Sequence, residues 1–487
     1  MSGASATPPA RRVSTGTTLA YATGAVAYGI KDSGFGTFLL LFYNQVVGLN
    51  PSTVGLIIMA ALVLDALIDP AVGGLSDRTR GRWGRRHPWM YASALPIAIG
   101  WLLLWHPPHM SQALTGLWLF VTAIIVRSAV SCYEVPSQAL TPELTADYDE
   151  RTRITAWRYL LGWAGGLLMM LLAYQVFLSP RPGYPNGLLR GAGYGEMAIV
   201  AAVLMVAAIL ISALGTHREI PRLPKPEIAP QTVRGHFREL GETMQNKAFV
   251  VLMLAGLAAY TNQGIGYALA NYLYSYVWQL NGALALIPFV LLTSVLVAFM
   301  AAPVIGRHTS KPRAAIVVTL AGAILSMAPY ALRLVGLFPD VGTHAVQIAY
   351  FGFLIVSNAL NVSGFILGAS MMADVVEESE ARTGRRSEGV FFAGSFFVQK
   401  CTSGIGIFLA GAILSLAHFP AKATPGAVPL ATVDRLTMIY MVIYLVIGTA
   451  AASCFAFFPF GRAEHEARLA GRIAASDGDS AMPEPKI

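Results

Sequence analysis

The chain has 487 residues, enough for three ordinary soluble domains. Yet 55% of them are hydrophobic and only 12% charged, about half the charged share of a typical globular protein. Together with a mean hydropathy of +0.57, this excludes a soluble enzyme, a disordered chain and a nucleic-acid-binding domain, and it points to a polytopic α-helical membrane protein.

The first 17 residues carry Arg11 and Arg12. No small-residue cleavage site follows them, so residues 1–17 read as a retained cytoplasmic tail. Twelve segments are then apolar enough to span a bilayer, which takes about 20 residues. They are 18–46, 52–76, 88–106, 112–138, 153–178, 194–216, 248–279, 283–306, 314–337, 344–371, 389–416 and 432–460. Gly162, Gly165 and Gly166 in the fifth span allow a close helix approach. Residues 217–247 form the longest polar interruption, with Pro221, Pro224, Pro226 and Pro230. This loop divides the chain into six-span halves, 18–216 and 248–460, and leaves a tail at 461–487. The 2–3 connection, Ser76 to Arg86, is faintly echoed by Gly306 to Lys311 in the 8–9 connection. Six plus six around a long central loop is the layout of two-halved secondary transporters.

With the N-terminus inside, 25 of the 34 Lys and Arg fall on inner segments. Five fall outside: Arg181, Arg190, Arg333, Lys422 and Arg435. The bias puts both termini in the cytoplasm of a plasma (inner) membrane, and it explains the net charge of +8 without a nucleic-acid partner. Cys132, Cys401 and Cys454 lie in apolar segments, so no disulfide framework or zinc spacing exists. No phosphate-cradling Gly-rich loop and no His-Glu-x-x-His occurs, so neither ATP nor zinc chemistry is expected, and no cofactor.

Eight ionisable residues sit inside the spans: Lys31, Asp32, Asp65, Asp69, Arg127, Glu134, Arg158 and Lys400. Each costs about 2.5–3.5 kcal/mol on insertion scales, so a functional reason is expected. Asp65 and Asp69 share a helix face one turn apart. They repel unless a proton or cation joins them, or unless each pairs with a base such as Lys400. Lys31 and Asp32 project about 100° apart and are expected to have different partners. Arg127, Ser131, Glu134 and Gln138 form a polar stripe on the fourth span. Arg158 lies near the inner end of the fifth, where it can snorkel. Asn262, Gln263, Asn358, Asn361 and Gln399 add amides that serve as helix glue or line a cavity. Tyr267, Tyr272, Tyr274, Tyr276 and Trp278 either stack on sugar rings or, as the stronger reading, form an interfacial belt.

These residues resemble the glycoside–pentoside–hexuronide:cation symporters, a branch of the major facilitator superfamily. Lys31-Asp32 is similar to the family's first-helix Lys-Asp. Asp65-Ala66-Leu67-Ile68-Asp69-Pro70, with Gly73, Ser76 to Arg80 and Arg82-Trp83-Gly84-Arg85, is similar to its second-helix signature. Glu134-Val135-Pro136, Ala373 to Glu377 and Lys400 agree with it. The resemblance implies an all-α, twelve-helix major facilitator fold and a cation-coupled symporter of a sugar, glycoside or uronic acid, working as a monomer among membrane lipid. It assigns the coupling cation, a proton or sodium, to Asp65, Asp69 and Ser131. Lys31, Asp32, Glu134 and Arg158 would contact the substrate, and Lys400 would link the two sites.

Three departures accompany it. Ile68 stands where the family's best-known member has an Asn, which favours a proton over sodium. Gln138 replaces an aromatic, and Glu134 replaces Asp. Arg127 is expected as an extra cation in the substrate cavity, which would suit an acidic sugar. Two alternatives stay open: a carrier of lysolipids or other amphiphiles with the same fold, and a non-transporting sensor or scaffold.

Overall fold

A computed structural model describes residues 13–145, 147–223, 244–280, 282–383 and 388–459. The expectations for residues 1–12, for most of the central loop and for the C-terminal tail lie outside the described residues. Among those described, the chain is helical, apart from an isolated bridge between Arg181 and Tyr184.

The first span is a broken rod, α1. It comprises helices Thr15–Thr23, Ala25–Ser33 and Leu39–Leu41 joined by π turns Gly34–Phe38 and Phe42–Val47. Eleven further helices are long and apolar enough to cross a membrane. They are α2 (Pro51–Arg78), α3 (His87–Trp105), α4 (Gln112–Leu144), α5 (Tyr148–Leu172), α6 (Gly191–His217), α7 (Lys247–Tyr272), α8 (Ile287–His308), α9 (Lys311–Leu334), α10 (His344–Thr383), α11 (Glu388–Leu416) and α12 (Leu430–Ala456). These eleven helices coincide with the second to twelfth sequence-predicted spans, and the broken rod coincides with the first. π turns also end α5 (Ala173–Phe177) and α7 (Leu273–Val277). Such turns widen a helix locally and often mark working sites.

The glycines pack as their size predicts. A Cβ on Gly29 of α1 would lie 1.9 Å from the Gly162 carbonyl oxygen of α5, and one on Gly165 would lie 2.6 Å from the Val26 carbonyl oxygen. Only glycine lets these two backbones touch.

At the end of the bundle away from the termini, here the distal end, polar side chains join α1 to α7. Asn271 donates to the Thr37 carbonyl at 2.9 Å and accepts from Tyr174 at 2.8 Å. The Tyr272 hydroxyl donates to Asn44 at 2.8 Å. Gln45 accepts from the Ala423 amide at 2.8 Å and donates to the Pro420 carbonyl at 3.0 Å. α2 meets α11 alongside, where Ser52 donates to Ser415 at 2.6 Å. The aromatic cluster is therefore not an interfacial belt. Tyr272 and Tyr276 are buried in this seal, Tyr274 is buried beside Tyr350 of α10 and Trp278 beside Tyr330 of α9 and Tyr350, and of the five only Tyr267 is exposed. Helical apolar runs look alike in sequence whether they face lipid or another helix.

The opposite end holds ion pairs at the 2–3 and 8–9 connections. Arg85 and Arg86 donate to Glu143 at 2.7 and 3.0 Å, and Arg86 pairs with Asp77 at 2.5 Å. Lys311 pairs with Asp374 at 2.7 Å. The echo between the two connections thus extends to an acid on α4 and one on α10.

Candidate functional site

The intramembrane charges converge where α2, α4 and α11 meet. Asn50 caps α2 by accepting from the Ser52 and Thr53 amides, and Pro51 opens its first turn. Fifteen residues on, Asp65 and Asp69 face α4 and α11. Asp65 is buried, with 3% exposure. Its Oδ2 accepts from Arg127 Nε at 3.1 Å and Nη2 at 2.7 Å, and its Oδ1 accepts from Ser131 at 2.8 Å. Lys400 donates to Asp69 Oδ2 at 2.5 Å and lies 3.5 Å from Asp65 Oδ2. Asp69 Oδ1 is buried without a partner among the described residues. Two acids are thereby matched by two bases. The carboxylates pair with bases in the way the sequence left open.

Arg127 is not a loose cation in a cavity. Its side chain is 3% exposed, bound to Asp65 and set over the Phe35 ring at 5.4 Å. Its spacing from Glu134 predicts a shared face, but the nearest acid across the helix interface captures it. Glu134 instead accepts from Gln138 at 2.9 Å, and its Oε2 is buried with no partner among the described residues. Lys31 and Asp32 do not find separate partners among the described residues. Lys31 Nζ lies 3.8 Å from Asp32, beyond a hydrogen bond, and 4.3 Å over the Tyr28 ring. The Lys31 side chain is 3% exposed and that of Asp32 is 59% exposed. A carboxylate facing lipid at mid-span would be costly, so this exposure suits a face turned to water, not lipid.

Arg158 stands apart from this cluster. It donates to Ser137 at 2.8 Å and lies 4.6 Å over the Tyr21 ring. Tyr21 itself donates to the Ser137 carbonyl. Of the ten candidate residues, the structure joins Asp65, Asp69, Arg127, Ser131 and Lys400 in one bonded group. It sets Lys31–Asp32 and Glu134–Gln138 as two separate pairs and leaves Arg158 outside.

Residues 20–462 match the family model described as MFS/sugar transport protein. The chain belongs to that family. It is 27% identical to an uncharacterized symporter, sll1374, of Synechocystis, over 92% of this chain and 95% of that one. It is 24% identical to the isoprimeverose transporter of Lactiplantibacillus pentosus, over 85% and 83%. Among solved structures it resembles a D-xylose-proton symporter at a TM-score of 0.59 and 14% identity, covering 91% of this chain and 98% of that one. The fold is that of the major facilitator superfamily, and the protein is a multi-pass membrane transporter, not an enzyme.

In this family member the charged group occupies a strategic place. α2 and α11 belong to opposite halves of the chain, and their contact runs inward from the distal end. A Cβ on Gly411 would lie 2.3 Å from the Pro51 carbonyl oxygen, one on Gly55 3.0 Å from the Ile407 carbonyl oxygen, and one on Gly404 3.1 Å from Leu62. The Lys400 pairs come next along this seam. A cavity of about 880 Å³ at the distal end, beside His106, His109 and Lys422, does not include any of these charges.

Two of the five amides, Asn262 and Asn361, behave as helix glue. Asn262 donates to the Tyr444 carbonyl at 2.9 Å, and Asn361 to Ser326 at 3.4 Å. Sequence reasoning missed Asn44, Gln45 and Asn271 of the distal seal. Their amides, isolated in apolar runs, were the available signal.

Proposed function

We propose that this transporter carries a sugar, glycoside or uronic acid in symport with a proton, in the inner (plasma) membrane, with both termini cytoplasmic. The observation that carries the reading is Lys400 of α11 set between Asp65 and Asp69 of α2. One ammonium ties the two halves through two carboxylates. A proton on Asp69 removes one of its partners, so loading the ion loosens the tie between halves. The coupling is reciprocal: whatever the substrate does to this tie, the proton feels.

The substrate groups follow from placement. A polyhydroxylated ligand needs both donors and acceptors. Asp32 and Gln138 are exposed, and Lys31 and Glu134 lie next to them. Arg158 of α5, bonded to the buried Ser137 of α4 and set over the buried Tyr21 ring of α1, is a further donor reserved for the substrate. Among the described residues the hydrogen bonds between the halves lie at the Lys400 pairs and the distal seal, an arrangement that fits rocking of the halves about a central site.

The test is substrate-induced proton movement in de-energised, right-side-out vesicles, across a panel of glycosides, pentosides and uronic acids. Alkalinisation of the medium on adding one sugar is the expected result and names the substrate. Silence across the panel from folded protein would overturn the sugar reading in favour of an amphiphile carrier.

A further inference from the structure

The residues around Asp65 do not fit a sodium ion, and we infer that Arg127 is the permanent cation of this site, which makes transport indifferent to sodium. The inference rests on the reading of Asp65 and Asp69 as the coupling carboxylates.

An ionised carboxylate offers about four acceptor positions. Asp65 has four donor atoms around it: Arg127 Nε and Nη2, Lys400 Nζ and Ser131 Oγ. A hard cation such as sodium binds through several oxygens at once. Ser131, which the sequence offers as one of them, is 1% exposed and aims its hydroxyl hydrogen at Asp65. Ile68, between the two acids, has no oxygen to give.

Charge gives the same answer. Asp65 and Asp69 are balanced by Arg127 and Lys400 without any bound ion. Sodium would enter as a third positive charge, close to two that are already fixed. Arg127 cannot make room by losing its proton, since a guanidinium stays charged in proteins. It cannot swing out cheaply either, because it is bonded to α2 through Asp65 and covered by Phe35 of α1. A proton escapes these limits. It needs one lone pair, and Asp69 Oδ1 is buried with no partner among the described residues. Arg127 thus selects the coupling ion by filling the place that sodium would take.

The test compares thermal unfolding of the purified full chain in sodium chloride and in choline chloride at equal ionic strength. Wild type and Arg127→Lys should melt alike in both salts. Arg127→Ala leaves Asp65 and Asp69 with Lys400 as their one base and should gain a sodium-specific rise in melting midpoint. Arg127→Gln keeps a donor but drops the charge and should do the same. Adding Asp65→Asn to either variant should erase the gain. In vesicles, sodium should then lower the half-saturating sugar concentration of Arg127→Ala about tenfold, within the usual range of coupling between sites.

A sodium-specific shift in wild type would overturn the inference, and that measurement needs no variant to fold. Sodium-blind behaviour of folded Arg127→Ala and Arg127→Gln would overturn it as well. The melting comparison uses no sugar, so a wrong substrate class shows up in the vesicle panel alone.

Discussion

Asp69 and Lys400 are 331 residues apart in sequence and 2.5 Å apart in the folded chain. Their side chains are 23% and 19% exposed, so water reaches the pair and reduces its worth below that of a dry ion pair. Asp69→Asn should fold, bind Lys400 through its amide oxygen and lose uphill accumulation while still allowing downhill flux. Accumulation ratios measured against a collapsed gradient check this, and concentrative uptake by Asp69→Asn would remove Asp69 from the coupling role. The Asp65–Arg127 pair is drier, at 3% exposure on each side. Arg127→Ala is therefore expected to cost about 3–5 kcal/mol, the usual penalty for stranding one member of a buried pair. Lys400→Met should cost less, and urea unfolding in mild detergent ranks the two. The acids and bases were legible in the sequence because a charge stands out in an apolar run. Their pairing was not, since Asp65 meets partners 62, 66 and 335 residues away.

Helices as units were equally legible, and their breaks were not. Twenty apolar residues predict a span whatever its internal turns do. α1 changes between α and π geometry twice, at Gly34–Phe38 and Phe42–Val47, and no residue pattern there separates the two ladders. The glycines of α5 could be read in advance, because backbone contact needs a residue without a Cβ, but their partner Gly29 of α1 was not. Gly29→Ala should destabilise the chain by about 1–3 kcal/mol, as overpacking does, by forcing α1 off α5. Gly74→Ala is the matched control. Nothing lies within 4 Å of its Cβ position, so a helix-interior alanine should gain about 0.5–1 kcal/mol there. Melting midpoints of the two variants should move in opposite directions. If Gly29→Ala melts as wild type does, the α1–α5 contact is looser than the backbone spacing implies.

At the scale of the whole molecule, the stability of one end against the other decides which side of the membrane the site faces. Among the described residues, the hydrogen bonds that cross between the halves run from the Lys400 pairs to the distal end. The distal seal depends on few side chains. Gln45 alone bonds Pro420, the Ala423 amide and Tyr276, which itself also donates to the Ala423 carbonyl. Gln45 is 3% exposed, so removing its amide strands buried partners at about 1–3 kcal/mol. The end facing the termini gains nothing from that loss. Gln45→Ala should therefore move the population toward the form opened at the distal end, by about five- to 150-fold if the whole cost falls on the sealed form. A cysteine placed at Thr37, under the seal, reports the change after Cys132, Cys401 and Cys454 are replaced. Its labelling by an impermeant thiol reagent from the distal side should be faster in Gln45→Ala than in the parent. Equal rates would mean that the α2–α11 contact, from Pro51–Gly411 down to Asp69–Lys400, holds the halves together without help from α1 and α7.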